Sequence, residues 1–201
     1  MREAFRSSGL LFLFCLWLST GVGIVSVPLE THEVFVLETA RAMEASGDWV
    51  FPQFNGLPRL TKPPANYWLT AALSKLDPFS SDVQIWHGRL VSLLAGLLMV
   101  WATLRLGALV YGWRTGLLAA AILTSTQGFV HLSNSARPDF LYATLGCLQL
   151  LAWVAAWKAQ EGTWRQQGLS LAGWAAAAVG TLTKGPQVPA LLLLGLAAYL
   201  L

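Results

Sequence analysis

The sequence predicts an all-α fold, a polytopic bundle of transmembrane helices with an exterior loop containing short amphipathic helices. Composition is the first reason: 55% of the 201 residues are apolar and only 11% are charged, whereas soluble domains carry about 25% charged residues. Patterning is the second reason, because the apolar residues form uninterrupted runs close to the roughly 20 residues that a helix needs to cross a bilayer. Lipid is therefore the expected solvent of these runs.

Six apolar runs follow one another, separated by short polar segments. The first follows Arg2 and Arg6, and because it is too long for a signal-peptide core, it predicts a signal anchor. The last has 15 residues, fewer than the roughly 17 that span a bilayer, so we expect the chain to be the amino-terminal part of a longer protein. The runs lie near residues 9–28, 89–110, 116–132, 140–157, 167–183 and 187–201.

The loops between these runs indicate an orientation. A cytoplasmic amino terminus places the basic loops near residues 105–114 and 158–165 in the cytoplasm, as the positive-inside tendency favours. Residues 29–87, which we call the exterior segment, then lie on the opposite side with the loop 133–139 and the loop at Lys184. We therefore expect a multi-pass integral membrane protein whose working face is non-cytoplasmic.

Charge and cysteine content exclude several classes of function. The net charge of +3 is small, and the basic residues form no stripe that could follow phosphates, which excludes nucleic acid as a partner. Cys15 and Cys147 lie inside apolar runs, so neither a disulfide framework nor a cysteine metal site is predicted. Membrane lipids are the partners that the composition predicts.

The exterior segment holds seven of the ten acidic residues. Thr31 is predicted to cap a helix that begins near Glu33, and residues 46–48 are predicted to end it. Its apolar residues recur at helical spacing, which indicates an amphipathic helix on or near the membrane surface. The residues of this apolar face are Val36, Ala40 and Met43.

Lys62 lies directly before two prolines. Because Pro63 and Pro64 cannot continue a helix and favour an extended residue before them, Lys62 is expected on a stiff segment just before another helix begins. A lysine in this position can bind a phosphate as a point charge. The spacing alone also allows a solvated surface lysine. Farther along, Gly173, Ala177 and Gly180 predict a small-residue face for close helix packing.

A series of short motifs runs through the exterior segment and the later span boundaries. They are His32-Glu33, Arg41, Met43, Ser46-Gly47-Asp48-Trp49, Pro52, Asn55-Gly56, Lys62-Pro63-Pro64, Tyr67-Trp68, Gly88-Arg89-Leu90, Ala136-Arg137-Pro138-Asp139 and Leu182-Thr183-Lys184-Gly185-Pro186. In this order they resemble the polyprenyl-phosphate-dependent membrane glycosyltransferases of the GT-C class, relatives of protein O-mannosyltransferases and of the bacterial lipid A aminoarabinose transferase. The resemblance implies an integral plasma (inner) membrane enzyme that moves a sugar from a polyprenyl-phosphate donor to a lipid or protein acceptor on the non-cytoplasmic face.

Members of this family share an acidic pair in the first exterior loop. His32 stands where an aspartate is usual, Glu33 matches the second acid, and Thr61 stands where an acid often precedes the lysine of the Lys-Pro-Pro motif. Some relatives hold a metal near these acids. The replacements at His32 and Thr61 do not support a divalent metal, so the sequence leaves the metal unknown.

Cleavage of a sugar from a polyprenyl phosphate leaves a phosphate whose growing negative charge must be met by fixed cations. Four cations are candidates, because the predicted topology places them on one side near headgroup depth. They are Lys62, Arg59, Arg137 and Lys184. Arg137 could instead pair with Asp139 within a structural loop, and Lys184 could serve as a helix-end cation. Arg89 is predicted to snorkel to the headgroups.

The acceptor hydroxyl also needs a base. Glu33 lies near an apolar boundary, where desolvation is expected to raise its pKa and allow it to take the proton. His32 can act as a base near neutral pH. In the alternative readings, Glu33 serves the helix dipole and His32 orients Glu33.

Two other functions compete with the enzyme. One is a non-catalytic protein that binds or transports polyprenyl lipids, although transporters place ionisable residues near the middle of the bilayer. This sequence places nearly all of its charges in loops and at span ends, which argues against transport. The other is a family member that has lost catalysis, which the replacements at His32 and Thr61 suggest.

Overall fold

The computed structural model describes Ile24 and residues 27–200, so most of the predicted span 9–28 lies outside the described residues. The all-α prediction is confirmed, since the described part is helical apart from one hairpin of two-residue strands. The helices are α1 (Thr31–Ser46), α2 (Ala65–Leu76), α3 (Ile85–Tyr111), α4 (Trp113–Ser125), α5 (Gln127–Ser133), α6 (Pro138–Trp157), α7 (Trp164–Lys184) and α8 (Gln187–Leu200); the strands are β1 (Gln53–Phe54) and β2 (Leu57–Pro58).

Two helices, α3 and α6, are long and apolar enough to cross a membrane, and the pair α4 and α5 makes a third candidate if it forms one bent span. These three match the predicted runs 89–110, 140–157 and 116–132. The helix α7 is not among the candidates, because its first turns are polar. The runs 167–183 and 187–201 form α7 and α8, and their crossing of the bilayer stays a prediction.

The third candidate is broken by 68° between α4 and α5. Thr126 is extended at this point, with φ −74° and ψ 138°, and its hydroxyl accepts the N–H of Phe129 at 3.3 Å to cap α5. The same hydroxyl donates to the carbonyl of Leu123 at 2.8 Å. A threonine side chain thus replaces the helical hydrogen bonds that the break removes.

The core lies where α3, α4 and α6 meet. Phe129 and Phe140 pack there edge to face with ring centroids 5.4 Å apart. Close approach of α3 and α4 depends on Gly116, because a Cβ at this position would lie 2.3 Å from the carbonyl oxygen of Leu104. Small residues therefore determine how closely these helices pack.

The predicted small-residue face on α7 is confirmed. Gly173, Ala177 and Gly180 are buried, and a Cβ at Gly173 would lie 2.3 Å from the indole of Trp153 on α6. The helices α6 and α7 therefore pack along this face, which positions the carboxyl end of α7 beside the amino end of α6.

The exterior segment begins with α1, and two expectations for this helix need correction. Glu30, and not Thr31, is its N-cap residue, with extended backbone angles, and its N–H donates to Oε2 of Glu33 at 3.0 Å. The predicted apolar face is buried as expected. It packs against α2 and against the side chains of Trp49 and Trp68, however, so this face contacts protein and not the membrane surface. Gly47 ends the helix in the left-handed region at φ 71°, as predicted.

Candidate active site

A cavity of about 260 Å³ lies between α1, the hairpin, the start of α2 and the start of α6. Four of the six residues predicted for the site line it: His32, Arg59, Lys62 and Arg137. The remaining lining residues are Phe35, Val36, Tyr67, Pro138 and Asp139. The cavity thus collects one imidazole, three cations and one carboxylate from positions more than 100 residues apart in sequence.

Lys62 and Arg59 are the cations of this cavity that form no direct ion pair with a carboxylate in the described part of the chain, although Lys62 interacts electrostatically with Asp139 across the cavity lining. Lys62 precedes α2, which begins at Ala65 after the two prolines as predicted. Its charge is therefore held at the cavity wall by a short, stiff connection. An unpaired cation in a half-enclosed cavity favours an anionic ligand.

The guanidinium of Arg59 is held by aromatic rings. Its central carbon lies 4.0 Å from the ring centroid of Phe35, and that ring packs edge to face on Phe54 at 4.9 Å. The backbone N–H of Arg59 donates to the carbonyl of Pro52 at 2.7 Å, which fixes the residue to the hairpin. Stacking occupies the face of the guanidinium and leaves its in-plane N–H donors available to an anion.

Arg137 lies at the N-cap of α6, directly before Pro138. Its Nε lies 3.7 Å from Oε2 of Glu30. The alternative pairing of Arg137 with Asp139 is not what the structure shows, because Asp139 pairs with Lys184 on α7. The loop between α5 and α6 therefore directs its arginine into the cavity and toward α1.

Lys184 is the last residue of α7, so the helix-end alternative describes its position. Its ammonium group forms a hydrogen-bonded ion pair with Asp139, and Lys184 itself is not among the residues that line the cavity. Because the two charges compensate each other, the pair adds little net charge to the cavity. A direct contact of Lys184 with the donor phosphate stays a prediction.

Tyr142, which sequence reasoning missed, holds the carboxyl end of α7 in place. Its hydroxyl donates to the carbonyl of Gly185 at 2.9 Å and accepts the N–H of Val188 at 2.7 Å. These bonds fix the turn between α7 and α8 directly after Lys184. A tyrosine inside a run of apolar residues gives no sequence signal for this role.

Glu33 is buried with no solvent exposure and does not line the cavity. Its oxygens accept two hydrogen bonds from the guanidinium of Arg89, each 2.8 Å long, and one from the N–H of Ala136, also 2.8 Å. Burial alone raises the pKa of the Glu33 carboxyl, but these bonds and the N–H of Glu30 outweigh it and lower the pKa. The expected rise in pKa is therefore wrong.

Arg89 does not snorkel to the headgroups, and that prediction is also wrong. Its side chain is fully buried, and all five N–H donors of its guanidinium have acceptors. Two donate to Glu33, and the other three donate to the carbonyls of Ile24 and Val27 at 2.9 Å and of Pro28 at 3.1 Å. A buried arginine is stable here because every donor is satisfied and a carboxylate compensates its charge.

Of the acid-pair positions, only position 32 faces the cavity. His32 is exposed and lines the cavity, while Glu33 points from the same turn of α1 into the protein. Successive residues on a helix differ by about 100° in direction, which here points His32 outward and Glu33 into the protein. His32 is therefore the candidate base that has access to a ligand in this cavity.

The side chains at the cavity do not fit a divalent cation. Among residues 27–200, no group of three or more histidine, cysteine, aspartate or glutamate side chains is arranged to hold a metal. The one lining carboxylate, Asp139, is already paired with Lys184. Carboxylates are the ligands that hard divalent cations prefer, and this cavity presents more cations than carboxylates.

Comparison with known proteins shows the family of the chain. Residues 61–201 match the family described as dolichyl-phosphate-mannose-protein mannosyltransferase. The chain belongs to this family. The matched range includes Lys62, Arg137 and Lys184. Arg59 and the acid-pair positions lie before its first residue.

Two bacterial proteins illustrate the similarity of this chain to individual relatives. The chain is 32% identical to an undecaprenyl phosphate-alpha-4-amino-4-deoxy-L-arabinose arabinosyl transferase 2 from Sodalis glossinidius, over 78% of this chain and 28% of that protein. It is 31% identical to the corresponding transferase of Pseudomonas aeruginosa strain LESB58, over 79% of this chain and 29% of that protein. The chain thus spans less than a third of the length of these curated relatives.

Solved structures show the same fold. ArnT from Cupriavidus metallidurans bound to undecaprenyl phosphate superposes with a TM-score of 0.83 at 24% identity, over 99% of this chain and 36% of that one. The apo form of the same protein gives a TM-score of 0.81 at 25% identity, over 98% of this chain and 36% of that one. The predicted fold class, a polytopic bundle of transmembrane helices, is therefore confirmed.

Proposed function

We propose that this chain is the first part of a membrane glycosyltransferase that takes a sugar from a polyprenyl-phosphate donor and transfers it to a lipid or protein acceptor on the non-cytoplasmic face of the inner membrane. One observation carries the proposal: Arg59 and Lys62 line a single cavity, and neither forms a direct ion pair with a carboxylate in the described chain. Relatives named arabinosyl transferases, and a similar fold solved with undecaprenyl phosphate, support the same donor class.

The reaction breaks the bond between the anomeric carbon of the sugar and a phosphate oxygen. The bonding electron pair goes to that oxygen, and the phosphate gains negative charge. Lys62 and Arg59 meet this charge, and Arg137 lies across the cavity as a third donor. Cations held in place before the reaction stabilise the transition state without reorganising, which is where such sites obtain most of their rate enhancement.

The acceptor oxygen forms the new bond to the anomeric carbon and loses its proton. We assign this proton to His32, whose ring lines the cavity. Glu33 lies behind the cavity wall, where its carboxylate holds Arg89 and the N–H of Ala136. Our proposal therefore gives Glu33 a positioning role, because it holds Ala136, the residue directly before Arg137. Direct participation of Glu33 as a base has no support in the geometry.

Asp139 lines the cavity, and Lys184 pairs with it from the end of α7. The pair orients the Asp139 carboxylate at the cavity, and the bonds of Tyr142 hold the end of α7 in register. In this proposal Lys184 acts on the donor phosphate indirectly, by fixing the position of the Asp139 carboxylate at the cavity.

The test uses the full-length protein in membranes and a labelled polyprenyl-phosphate sugar. Lys62→Gln is expected to reduce transfer at least about 100-fold, because it removes a charge that meets the leaving phosphate. Lys75→Gln is the matched control: its Nζ lies 4.4 Å from the ring centroid of Trp49, away from the cavity. We expect this control to keep the transfer rate.

Full transfer by Lys62→Gln would refute the proposed role of this cavity. Carrier binding by the wild-type protein without any sugar transfer would instead support the non-catalytic alternative. Movement of the intact carrier across vesicle membranes, again without transfer, would support transport.

A further inference from the structure

A glutamate outside the cavity contacts one of the cavity arginines and a histidine. Glu30 lies directly before α1, and its Oε2 is 3.7 Å from Nε of Arg137. The same oxygen accepts the hydroxyl of Ser135 at 3.4 Å. Its other oxygen, Oε1, is 3.5 Å from Nε2 of His131 in the last turn of α5. Glu30 therefore bridges α1, α5 and the loop that carries Arg137.

Arg137 depends on this contact. Its side chain is only 24% exposed, and its Nε is buried without a hydrogen-bond partner in the described chain. Glu30 is its carboxylate partner there, at ion-pair and not hydrogen-bond distance. The guanidinium is thus held from one side by charge attraction, while its N–H donors stay available on the cavity side.

We propose that Glu30 is a positioning residue that aims Arg137 into the cavity through Oε2, and that His131, held by Oε1 of the same carboxylate, couples its proton to the phosphate site. This inference rests on the proposed function, since it concerns the same phosphate site. Histidine is the side chain that changes charge near neutral pH. Because Arg137 and His131 contact different oxygens of Glu30, a proton on His131 leaves the contact of Arg137 in place and adds a positive charge beside the cavity.

The sign of the effect follows from linkage. A phosphate in the cavity favours the protonated imidazole, and the protonated imidazole therefore favours the phosphate by the same factor. Phosphate affinity should therefore be higher at the acidic end of the pH range, where a histidine carries its proton. About fivefold is expected, the lower end of typical coupling between two sites, because His131 is half exposed and solvent screens it.

Other charged groups around Glu30 are accounted for. Glu33 accepts the N–H of Glu30, and Arg89 compensates its charge. Asp139 at the start of α6 is paired with Lys184. His32, two residues further along the chain, is a second histidine at the cavity, so its contribution has to be removed. The measurements are therefore made in the His32→Asn background.

The experiment measures the Kd of the full-length protein for undecaprenyl phosphate between pH 5.5 and 8. The titration of the phosphate itself is common to all variants. The additional rise in affinity at low pH should disappear in His131→Gln and shrink in Glu30→Gln, which removes the carboxylate that stabilises the protonated imidazole. Glu38→Gln is the matched control, because Glu38 lies on the same helix and pairs with Arg41. This control should keep the full pH dependence.

A double-mutant cycle tests the positioning role separately. Arg137→Gln should weaken binding about tenfold in the parent and much less in the Glu30→Gln background, because an arginine that is no longer aimed contributes less. An equal loss of affinity in both backgrounds would overturn the positioning role. In the pH series, identical profiles for the parent and His131→Gln would overturn the proton coupling. If Glu30→Gln does not fold, the half-exposed His131→Gln still decides the coupling.

The failure of this inference differs from the failure of the proposed function. Binding that requires Lys62 but shows neither coupling would overturn the inference alone. Binding that is absent, or insensitive to Lys62→Gln, would overturn both.

Discussion

Arg89 and Glu33 form a two-point ion pair in which Nε to Oε1 and Nη2 to Oε2 each measure 2.8 Å, and neither side chain is exposed. The pair joins α3 to α1 across 56 residues. The third contact of Glu33, to the N–H of Ala136, adds the loop before α6. Two elements that line the cavity, α1 and the segment that carries Arg137, are therefore tied to α3 through one buried carboxylate.

Removing the charge of Glu33 should strongly destabilise the protein. Glu33→Gln leaves the buried guanidinium of Arg89 without a counter-charge, which costs roughly 3–5 kcal/mol. Glu38→Gln on the same helix breaks a half-exposed pair with Arg41 and should cost less than about 1 kcal/mol. Thermal unfolding of the detergent-solubilised protein measures both. Similar shifts in Tm for the two variants would show that the buried pair contributes no more to stability than the half-exposed pair.

The same pair predicts how stability depends on pH. The pKa of Glu33 is lowered from its ordinary value of 4.5, so the folded state holds the ionised carboxylate more tightly than the unfolded state does. This contribution is fully present above pH 4.5 and is lost as the pH falls through the lower folded-state pKa. The Tm difference between wild type and Glu33→Gln should therefore stay constant near neutral pH and shrink below 4.5. A difference that grows on acidification would contradict the lowered pKa.

A methyl group at Gly116 should separate α3 from α4. The added Cβ would lie 2.3 Å from the carbonyl oxygen of Leu104 and 2.7 Å from the backbone nitrogen of Ala108. Backbone atoms cannot rotate away, so Gly116→Ala should destabilise by about 1–3 kcal/mol. Gly168→Ala is the control, since a Cβ there meets nothing within 4 Å, and alanine favours the helix. Equal unfolding temperatures for the two variants would be inconsistent with this packing.

The hydroxyl of Tyr142 should matter for the turn that follows α7. Tyr142→Phe keeps the ring but leaves the N–H of Val188 and the carbonyl of Gly185 without their partner. A loss of about 1–3 kcal/mol is expected, together with reduced sugar transfer, because Lys184 no longer has a fixed position beside Asp139. Tyr111→Phe serves as the control, since Tyr111 is 77% exposed. Unchanged stability and transfer in Tyr142→Phe would show that this hydroxyl is not needed to hold the end of α7.

Local pattern was sufficient to predict several features of this chain. The apolar face of α1, the start of α2 after Pro64 and the small-residue face of α7 each depend on residues within a few helical turns. Proline geometry and helical periodicity act over the same short range, so these features can be read from neighbouring residues. The motif at Lys62 was likewise sufficient to predict a cation at a phosphate site, which the cavity now supports geometrically.

The pairing of charges was not predictable in this way. Arg89 with Glu33, Lys184 with Asp139 and Arg137 with Glu30 join residues 45 or more positions apart. Each cation on its own fitted a headgroup or phosphate contact equally well. Only the packed helices determine which carboxylate lies within reach of which cation, and that choice decides which charges remain for a ligand. Composition and periodicity establish a helical membrane protein with a basic site. Which of its cations stay free depends on contacts between distant segments, because one charge compensates another only when the two lie close together in the folded structure.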